Sequence, residues 1–417
     1  MVKFEREFRS AIKILNAVFL KHQPLRDALF GRHRRGVDFD LVYKMVLETI
    51  KRLNYVDACI EKFSRKIRGG YRNTLRLAIV MRKFLGLKPP KLPAELVSIY
   101  HKAIDYDPLE EVQDEHEYLA LKYYHPTWFI KELMKVMSKE RVIKILEANN
   151  VPIKKKFVRV NTLRISPDEF RSRWPMLGKT EFPDIFEAKT SYLKEMLSSK
   201  DYENGLFIVQ NFSSAAVVYS LNPTGEDVIL DACAAPGIKV SHIASIVKNK
   251  ALLLAVEIDA RRARMLNSIK KKLGNAFEVI IADSTKPPFK ENIFTKILVD
   301  APCSDSGIFR EQPDLKWRIK KRDVQTYSTL QKKILQGVLK TIKKGGFIVY
   351  STCSLMPNEG EEVIQWVLEQ FNEIELDTLN LPRAERGYST FPFWNKVARF
   401  FPDKDVSGFF IARLIKN

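Results

Sequence analysis

The sequence predicts a doubly wound α/β core, preceded by an all-α segment and a small α/β unit. Three observations predict it. Between Lys3 and about Tyr106 the apolar residues recur at helical spacing. From 150 to 205 a strand-like stretch is followed by a helix start. Beyond 206, short apolar runs alternate with helical patterns, the signature of a parallel sheet with crossover helices. The expected boundaries are 1–118, 119–205 and 206–417.

Length and charge agree with a modular chain. At roughly 100 to 200 residues per domain, 417 residues exceed one compact core. Seventy Lys and Arg against 50 Asp and Glu give a net charge of +20. Residues 1–104 hold 23 basic and 9 acidic side chains, a net of +14. Such a segment attracts polyanions, and nucleic acid is the leading partner. A solvated basic surface or an anionic membrane contact is the plain alternative. The charge reverses with Asp105, Asp107, Glu110, Glu111, Asp114, Glu115 and Glu117, which reads as a boundary. No run approaches the roughly 18 apolar residues of a membrane span, and the N-terminal stretch is interrupted by Lys3, Arg6, Arg9 and Lys13. A cytoplasmic protein without a membrane partner is expected, with a monomer as the default. Four cysteines without CxxC spacing argue against a disulfide scaffold and structural zinc.

Taken in order, Val42, Met45, Val46, Ile50 and Leu53, then Leu77, Val80, Met81 and Phe84, mark helical faces. Gly69-Gly70 and Lys88-Pro89-Pro90 fall between such segments. Two further helices are expected over 126–149, the first opening at Pro126 and the second running from Lys139 to Asn149. Phe157 to Asn161 alternates like a strand, and Ser166-Pro167-Asp168-Glu169 is a capped helix start. Strands are then expected at 228–230, 252–256, 279–281, 297–299 and 347–350.

In a doubly wound sheet, ligands bind beyond the carboxyl ends of the strands. Those ends fall at Asp231, Glu257, Asp283, Asp300 and Ser351, four of five acidic. Carboxylates there suit ribose hydroxyls, amines and a sulfonium cation better than phosphate. The first strand enters a turn of small residues, Cys233-Ala234-Ala235-Pro236-Gly237-Ile238-Lys239, that opens a helix and admits a ligand close to the backbone. Such a turn alone more often serves packing. Glu257 improves the case, being placed to accept from both hydroxyls of an adenosine ribose, while Asp283 could reach the adenine amine.

Cysteine is usually a buried filler, and Cys59 within a helical apolar pattern is read that way. Cys303, three residues after Asp300, and Cys353, two after Ser351, both follow strand ends on the ligand-facing rim. A thiol pair there suggests covalent catalysis.

The stretches DACAAPGIK (231–239), VEIDARRARML (256–266), DAPCSDSGIFREQPDLKW (300–317), STCSLMPNEGEE (351–362) and GFFIARL (408–414) occur in that order, with HPTWFIKELMK (125–135) before them. By these motifs the sequence resembles the RsmB/Sun (NSUN) family of S-adenosylmethionine-dependent RNA cytosine-5 methyltransferases over about residues 120–417. Its N-terminal helices resemble the NusB-like RNA-binding domain of RsmB-type members. The resemblance implies a Rossmann-like class I methyltransferase core and RNA as partner, ribosomal RNA first and transfer RNA next. It implies Cys353 as the nucleophile that adds to cytosine C6, Asp300 at the Watson–Crick edge of the base, and Cys303 assisting release of the methylated product. Cys233 to Lys239, Glu257, Asp283 and Asp300 would hold S-adenosylmethionine. Arg262 is a weaker cofactor candidate, and Lys239 could instead face the base.

One departure stands out. Where the family usually carries Gly-Gly-Lys-Thr, this chain has Gly237-Ile238-Lys239-Val240. A β-branched side chain beside the cofactor turn and a lost hydroxyl predict weaker cofactor affinity. A non-catalytic RNA-binding or assembly factor is the alternative; DNA cytosine methylation fits less well, since it would not need Cys353.

Overall fold

The computed structural model describes residues 4–30, 36–67 and 69–417. The chain divides into two compact units, one of 1–150 with 311–319, the other of 151–310 with 320–417. This partition departs from the expected 1–118, 119–205 and 206–417 in three ways, the first being that 151–205 shares one unit with the stretch that follows it. The helices of 119–150 cluster with the N-terminal helices. The stretch 311–319, expected within the catalytic domain, also groups there.

Among the described residues the regular elements of the first unit are all helices, and its core contains the residues whose spacing marked it: Val42, Met45, Val46, Ile50, Leu77, Val80 and Met81 are fully buried. Cys59 is buried in the same core. Gly69-Gly70 opens the helix Gly69–Leu85. The inserted stretch is tied in by side chains: Trp317 Nε1 donates to Ile50 O at 2.6 Å, and buried Lys316 Nζ donates to Tyr124 O at 3.1 Å. Asp314 Oδ2 accepts from Leu25 N at 3.2 Å.

The second unit holds two sheets. Strands β1 (Lys155–Val160), β2 (Gly178–Lys179), β3 (Ile185–Lys189) and β4 (Phe207–Val209) form an antiparallel sheet in the order β2-β3-β1-β4. The larger sheet contains β5 (Val228–Asp231), β6 (Leu252–Glu257), β7 (Glu278–Ile281), β8 (Phe294–Asp300) and β9 (Ile342–Thr352). It is completed by β10 (Ile374–Asp377), β11 (Glu385–Arg386), β12 (Ala398–Phe400) and β13 (Phe409–Lys416). Its path is β11-β12-β13-β9-β8-β5-β6-β7, with β10 pairing β13. Pairs among β5 to β9 are parallel, whereas β13 runs antiparallel to β9.

Both faces of this sheet are covered, which explains why its strands read as continuous apolar runs. Ile229, Leu298 and Val349 point into one core with Val218, Val240 and Ile243. Their neighbours Leu230, Val299 and Tyr350 point into the other with Leu335, Val338 and Val363. The chain leaves β5 toward β6 on one side and returns beside β5 with β8 on the other. That reversal opens a crevice at the carboxyl ends of β5 and β8, between Asp231 and Asp300. Among the described residues no helix is long and apolar enough to cross a membrane.

Candidate active site

Loops after β5, β6, β7, β8 and β9 surround one cavity of about 450 Å3 at this crevice. The turn after β5 is built tightly. Ala232 N donates to Leu298 O and Ala234 N to Val256 O, each at 2.9 Å, pinning the turn to both neighbouring strands. Gly237 has φ 108°, and a Cβ there would lie 3.1 Å from Leu266 Cδ2, so this position needs glycine. The helix Ile238–Ile246 that follows is held from the small sheet by buried Arg159, which donates to Ile238 O and to Ser241 Oγ, both at 2.8 Å.

The acidic groups of the crevice crowd one another. Asp231 is buried; its Oδ1 accepts from Cys233 N at 3.4 Å, and its Oδ2 has no hydrogen-bond partner among the described residues. Burial, then the negative charge of Asp300, pushes its carboxyl up to about 7. Glu257 Oε1 accepts from Asp259 N at 3.0 Å, and Glu257 Oε2 lies 3.4 Å from Arg262 Nη1. Arg262 also donates to Ala235 O at 2.9 Å, bracing the turn against the end of β6. Asp283 Oδ1 accepts from Thr285 N at 2.8 Å. Asp300 Oδ2 pairs with Lys239 Nζ at 2.6 Å, and its Oδ1 accepts from Ser351 Oγ at 2.8 Å.

The two rim thiols meet. Cys303 Sγ and Cys353 Sγ, 50 residues apart in sequence, stand 3.2 Å from one another. Cys353 Sγ donates to Asp305 Oδ1 at 2.7 Å, and Cys303 Sγ lies 3.7 Å from the same oxygen. The hydrogen bond with Cys303 and burial hold the Cys353 thiol well above its ordinary range. For Cys303 the hydrogen bond with Cys353 pulls downward, but burial and the Asp305 charge outweigh it and push the thiol up to about 11. Both cysteines therefore rest as neutral thiols.

A buried carboxylate fixes the loops that carry them. Glu359 accepts from Ser304 N at 2.8 Å, from Ser304 Oγ and Ser354 Oγ at 2.5 Å each, and from Gln331 Nε2 at 3.3 Å. Gly307 N donates to Cys353 O at 2.9 Å, and Gly408 N to Gly307 O at 2.8 Å, so three loops touch through backbone.

Of the residues expected here, Cys233, Ala235, Glu257, Arg262, Asp283, Asp300, Cys303 and Cys353 line the cavity. Ala234, Pro236, Gly237, Ile238 and Lys239 are not among its lining. Ala234 is buried beneath the turn, Pro236 is exposed, and Lys239 reaches the site through its pairing with Asp300. Val240 is fully buried in the core beneath. The sequence reading missed Asp305, Glu359 and the face Tyr327, Leu330 and Ile334. Those last three recur at helical spacing on Lys321–Leu339, a signal that was legible. Asp305 lies two residues past Cys303 and passes for a turn residue, while Glu359 is one of three glutamates in four positions.

A doubly wound sheet whose last strand runs antiparallel, with acidic strand ends around the crevice, defines a Rossmann-like methyltransferase. The model of the 16S rRNA methyltransferase RsmB/F family matches residues 218–415. Ribosomal RNA small subunit methyltransferase B of Escherichia coli O1:K1 / APEC is 28% identical over 457 residues, covering 100% of each chain. Its counterpart from Enterobacter sp. (strain 638) is 33% identical over 317 residues, 74% of this chain and 70% of that one. The crystal structure of PH0851 superimposes with TM-score 0.83 at 25% identity, covering 99% of this chain and 98% of that one. The chain belongs to the RsmB family of ribosomal RNA small subunit methyltransferases.

Proposed function

We propose that the chain methylates C5 of a cytosine in small-subunit ribosomal RNA, with S-adenosylmethionine as donor and Cys353 as a transient covalent nucleophile. The observation that carries this reading is the meeting of Cys303 and Cys353 at 3.2 Å in a cavity that Asp300 also lines. Cytosine C5 is a poor nucleophile, and addition of a thiolate at C6 turns the ring into an enamine that can attack an electrophile.

The residues at the crevice fit the cofactor. Burial, then the nearby charges of Asp300 and Glu257, raises the Asp231 pKa, and Asp231 Oδ2 is left without a partner among the described residues. Such a field favours a cation. Glu257 and Asp283 would hold the nucleoside part, with Cys233 and Ala235 against it. S-adenosylmethionine, when bound, supplies a methyl group on a positively charged sulfur.

The protein's own groups then divide the work. Cys353 Sγ gives up its thiol proton and bonds to C6 while the Lys239 ammonium passes a proton through Asp300 to ring N3, neutralising the charge that addition creates. Once C5 carries the methyl group, its proton leaves to water, N3 gives its proton back, and the Sγ–C6 bond breaks to restore the aromatic ring. Cys303, touching Cys353, assists that departure. The basic helical unit and the four-stranded sheet would grip the RNA around the extruded base.

The test uses small-subunit ribosomal RNA and methyl-labelled S-adenosylmethionine. Cys353→Ala should transfer no label, while Cys303→Ala should accumulate an RNA–protein adduct that survives a denaturing gel. Full turnover by Cys353→Ala would sink the assignment.

A further inference from the structure

We infer that Asp305 is a catalytic residue, the base that takes the proton from the Cys353 thiol as its sulfur attacks. The inference rests on the reading of Cys353 as nucleophile. Its own observation is the contact between Asp305 Oδ1 and Cys353 Sγ at 2.7 Å, the shortest polar contact of either rim thiol.

The resting thiol needs such a partner. Cys353 is held well above its ordinary pKa, so little thiolate exists at neutral pH. The neighbouring groups that act most on it, Cys303 and Asp305, oppose the anion rather than stabilise it beforehand. A thiol in that state reacts when its proton leaves in the same step as bond formation, which requires an acceptor already hydrogen-bonded to it. Asp305 is the carboxylate in that position.

The backbone supports a purpose for this side chain. Asp305 has φ 57°, a left-handed conformation that glycine adopts without cost. An aspartate there accepts mild strain and buries most of a carboxyl group, neither of which the turn itself needs. Burial raises the Asp305 pKa, bringing it closer to that of the thiol and making it a stronger base than an exposed carboxylate. The charged and titratable groups around it are Cys353 and Cys303, which donate to it, Asp300, Arg262 and Tyr327. Asp300 opposes its ionisation and Arg262 favours it. Two thiols and a carboxylate are also a possible metal-ligand set. However, atoms 2.7 and 3.2 Å apart are in hydrogen-bond contact, closer than ligands arranged tetrahedrally at about 2.0 to 2.3 Å from an ion.

The step balances. The proton moves from Cys353 Sγ to Asp305 Oδ1, the sulfur electron pair forms the bond to C6, and the displaced π electrons pass through C5 and C4 to N3, which takes a proton from the Lys239 ammonium relayed through Asp300 and later returns it. On elimination the Sγ–C6 electrons return to sulfur, and Asp305 gives back the proton it took.

The experiment follows covalent capture under single-turnover conditions between pH 5.5 and 9. The probe is small-subunit ribosomal RNA transcribed with 5-fluorocytidine, plus S-adenosylmethionine. Fluorine replaces the C5 proton that must leave, so each productive attack remains as a complex on a denaturing gel. The intact chain should reach a flat maximum near neutral pH. Asp305→Asn and Asp305→Gly should be slower by about 100-fold at pH 7, with rates still climbing about tenfold per pH unit, so that the deficit narrows toward pH 9. Asp305→Gly relieves the backbone and should melt no lower than the intact chain, which separates a lost base from a damaged fold. Capture by Asp305→Gly at the intact rate, or with a parallel pH profile, would overturn the inference and leave Cys353 as nucleophile. Capture by Cys353→Ala would instead overturn the underlying reading.

Discussion

Glu359 Oε2 accepts a hydrogen bond from Ser304 Oγ at 2.5 Å while its Oε1 accepts from Ser304 N at 2.8 Å, so a carboxylate from beyond β9 fixes the residue next to Cys303. The same Oε2 accepts from Ser354 Oγ, next to Cys353, at 2.5 Å. One buried side chain therefore sets the spacing of both thiols. Glu359→Ala leaves the buried Ser304 N–H without its partner and the Ser304 and Ser354 hydroxyls with only each other, Ser306 Oγ and Met356 N, and should cost about 1 to 3 kcal/mol for the stranded amide less what water recovers. Methyl transfer should fall more steeply than stability. A variant that melts several degrees lower yet transfers methyl at the intact rate would show that the spacing does not matter.

Gly307 gives a packing prediction. A Cβ there would stand 2.3 Å from Gly408 O and 2.9 Å from Cys353 O, all backbone that cannot rotate away. Gly307→Ala should push the three loops apart, destabilising by roughly 1 to 3 kcal/mol and reducing transfer at least tenfold. Chemical denaturation and a transfer assay on the same sample check both.

Asp231 predicts a pH dependence with a definite sign. Its folded pKa of about 7 lies above the ordinary 3.8, so the fold favours the protonated form. The stability this contributes is fully present below about pH 4 and is lost as pH rises through 7. Asp231→Asn should leave stability near that of the intact chain at pH 4 and raise it by roughly 2 to 4 kcal/mol at pH 8. Melting curves across that range measure the difference, and equal shifts at both pH values would contradict it.

Arg399 and Glu361 form a fully buried pair, with Nε and Nη2 reaching the two carboxylate oxygens at 2.7 and 2.5 Å. Arg399 Nη1 also donates to Ser354 O at 3.1 Å. Arg399→Ala should cost about 3 to 5 kcal/mol because it strands a buried charge. The double variant Arg399→Met with Glu361→Gln should cost much less. Equal losses would mean that the pair acts through packing alone.

Ile238 bears on the expected weakness of cofactor binding. The sequence reading set a β-branched side chain against the cofactor, yet Ile238 does not line the cavity, and its carbonyl is engaged by Arg159 at 2.8 Å. Ile238→Gly should therefore alter the calorimetric Kd for S-adenosylmethionine by less than about threefold, under roughly 0.7 kcal/mol. A tenfold gain in affinity would restore the sequence-based expectation.

Periodicity and order in the sequence determined the helical N-terminal unit, the parallel core with its acidic strand ends, and Cys303 and Cys353 on one rim. These are readable because they are local: an apolar run with its terminal residue, or a helical face, is contained within ten or so positions. Tertiary structure decided what local pattern cannot carry. It joined 311–319 to the helices through Trp317 and Lys316, although the chain around them reads as catalytic core. It turned Lys239 toward Asp300 across 61 residues, and it made Glu359 the common partner of Ser304 and Ser354. It also aimed the Asp305 carboxylate at Cys353, 48 residues away. Each depends on where two separate loops come to rest once both faces of the sheet are buried. A buried carboxylate with partners and an exposed one in a turn look alike until burial has made their hydrogen bonds obligatory.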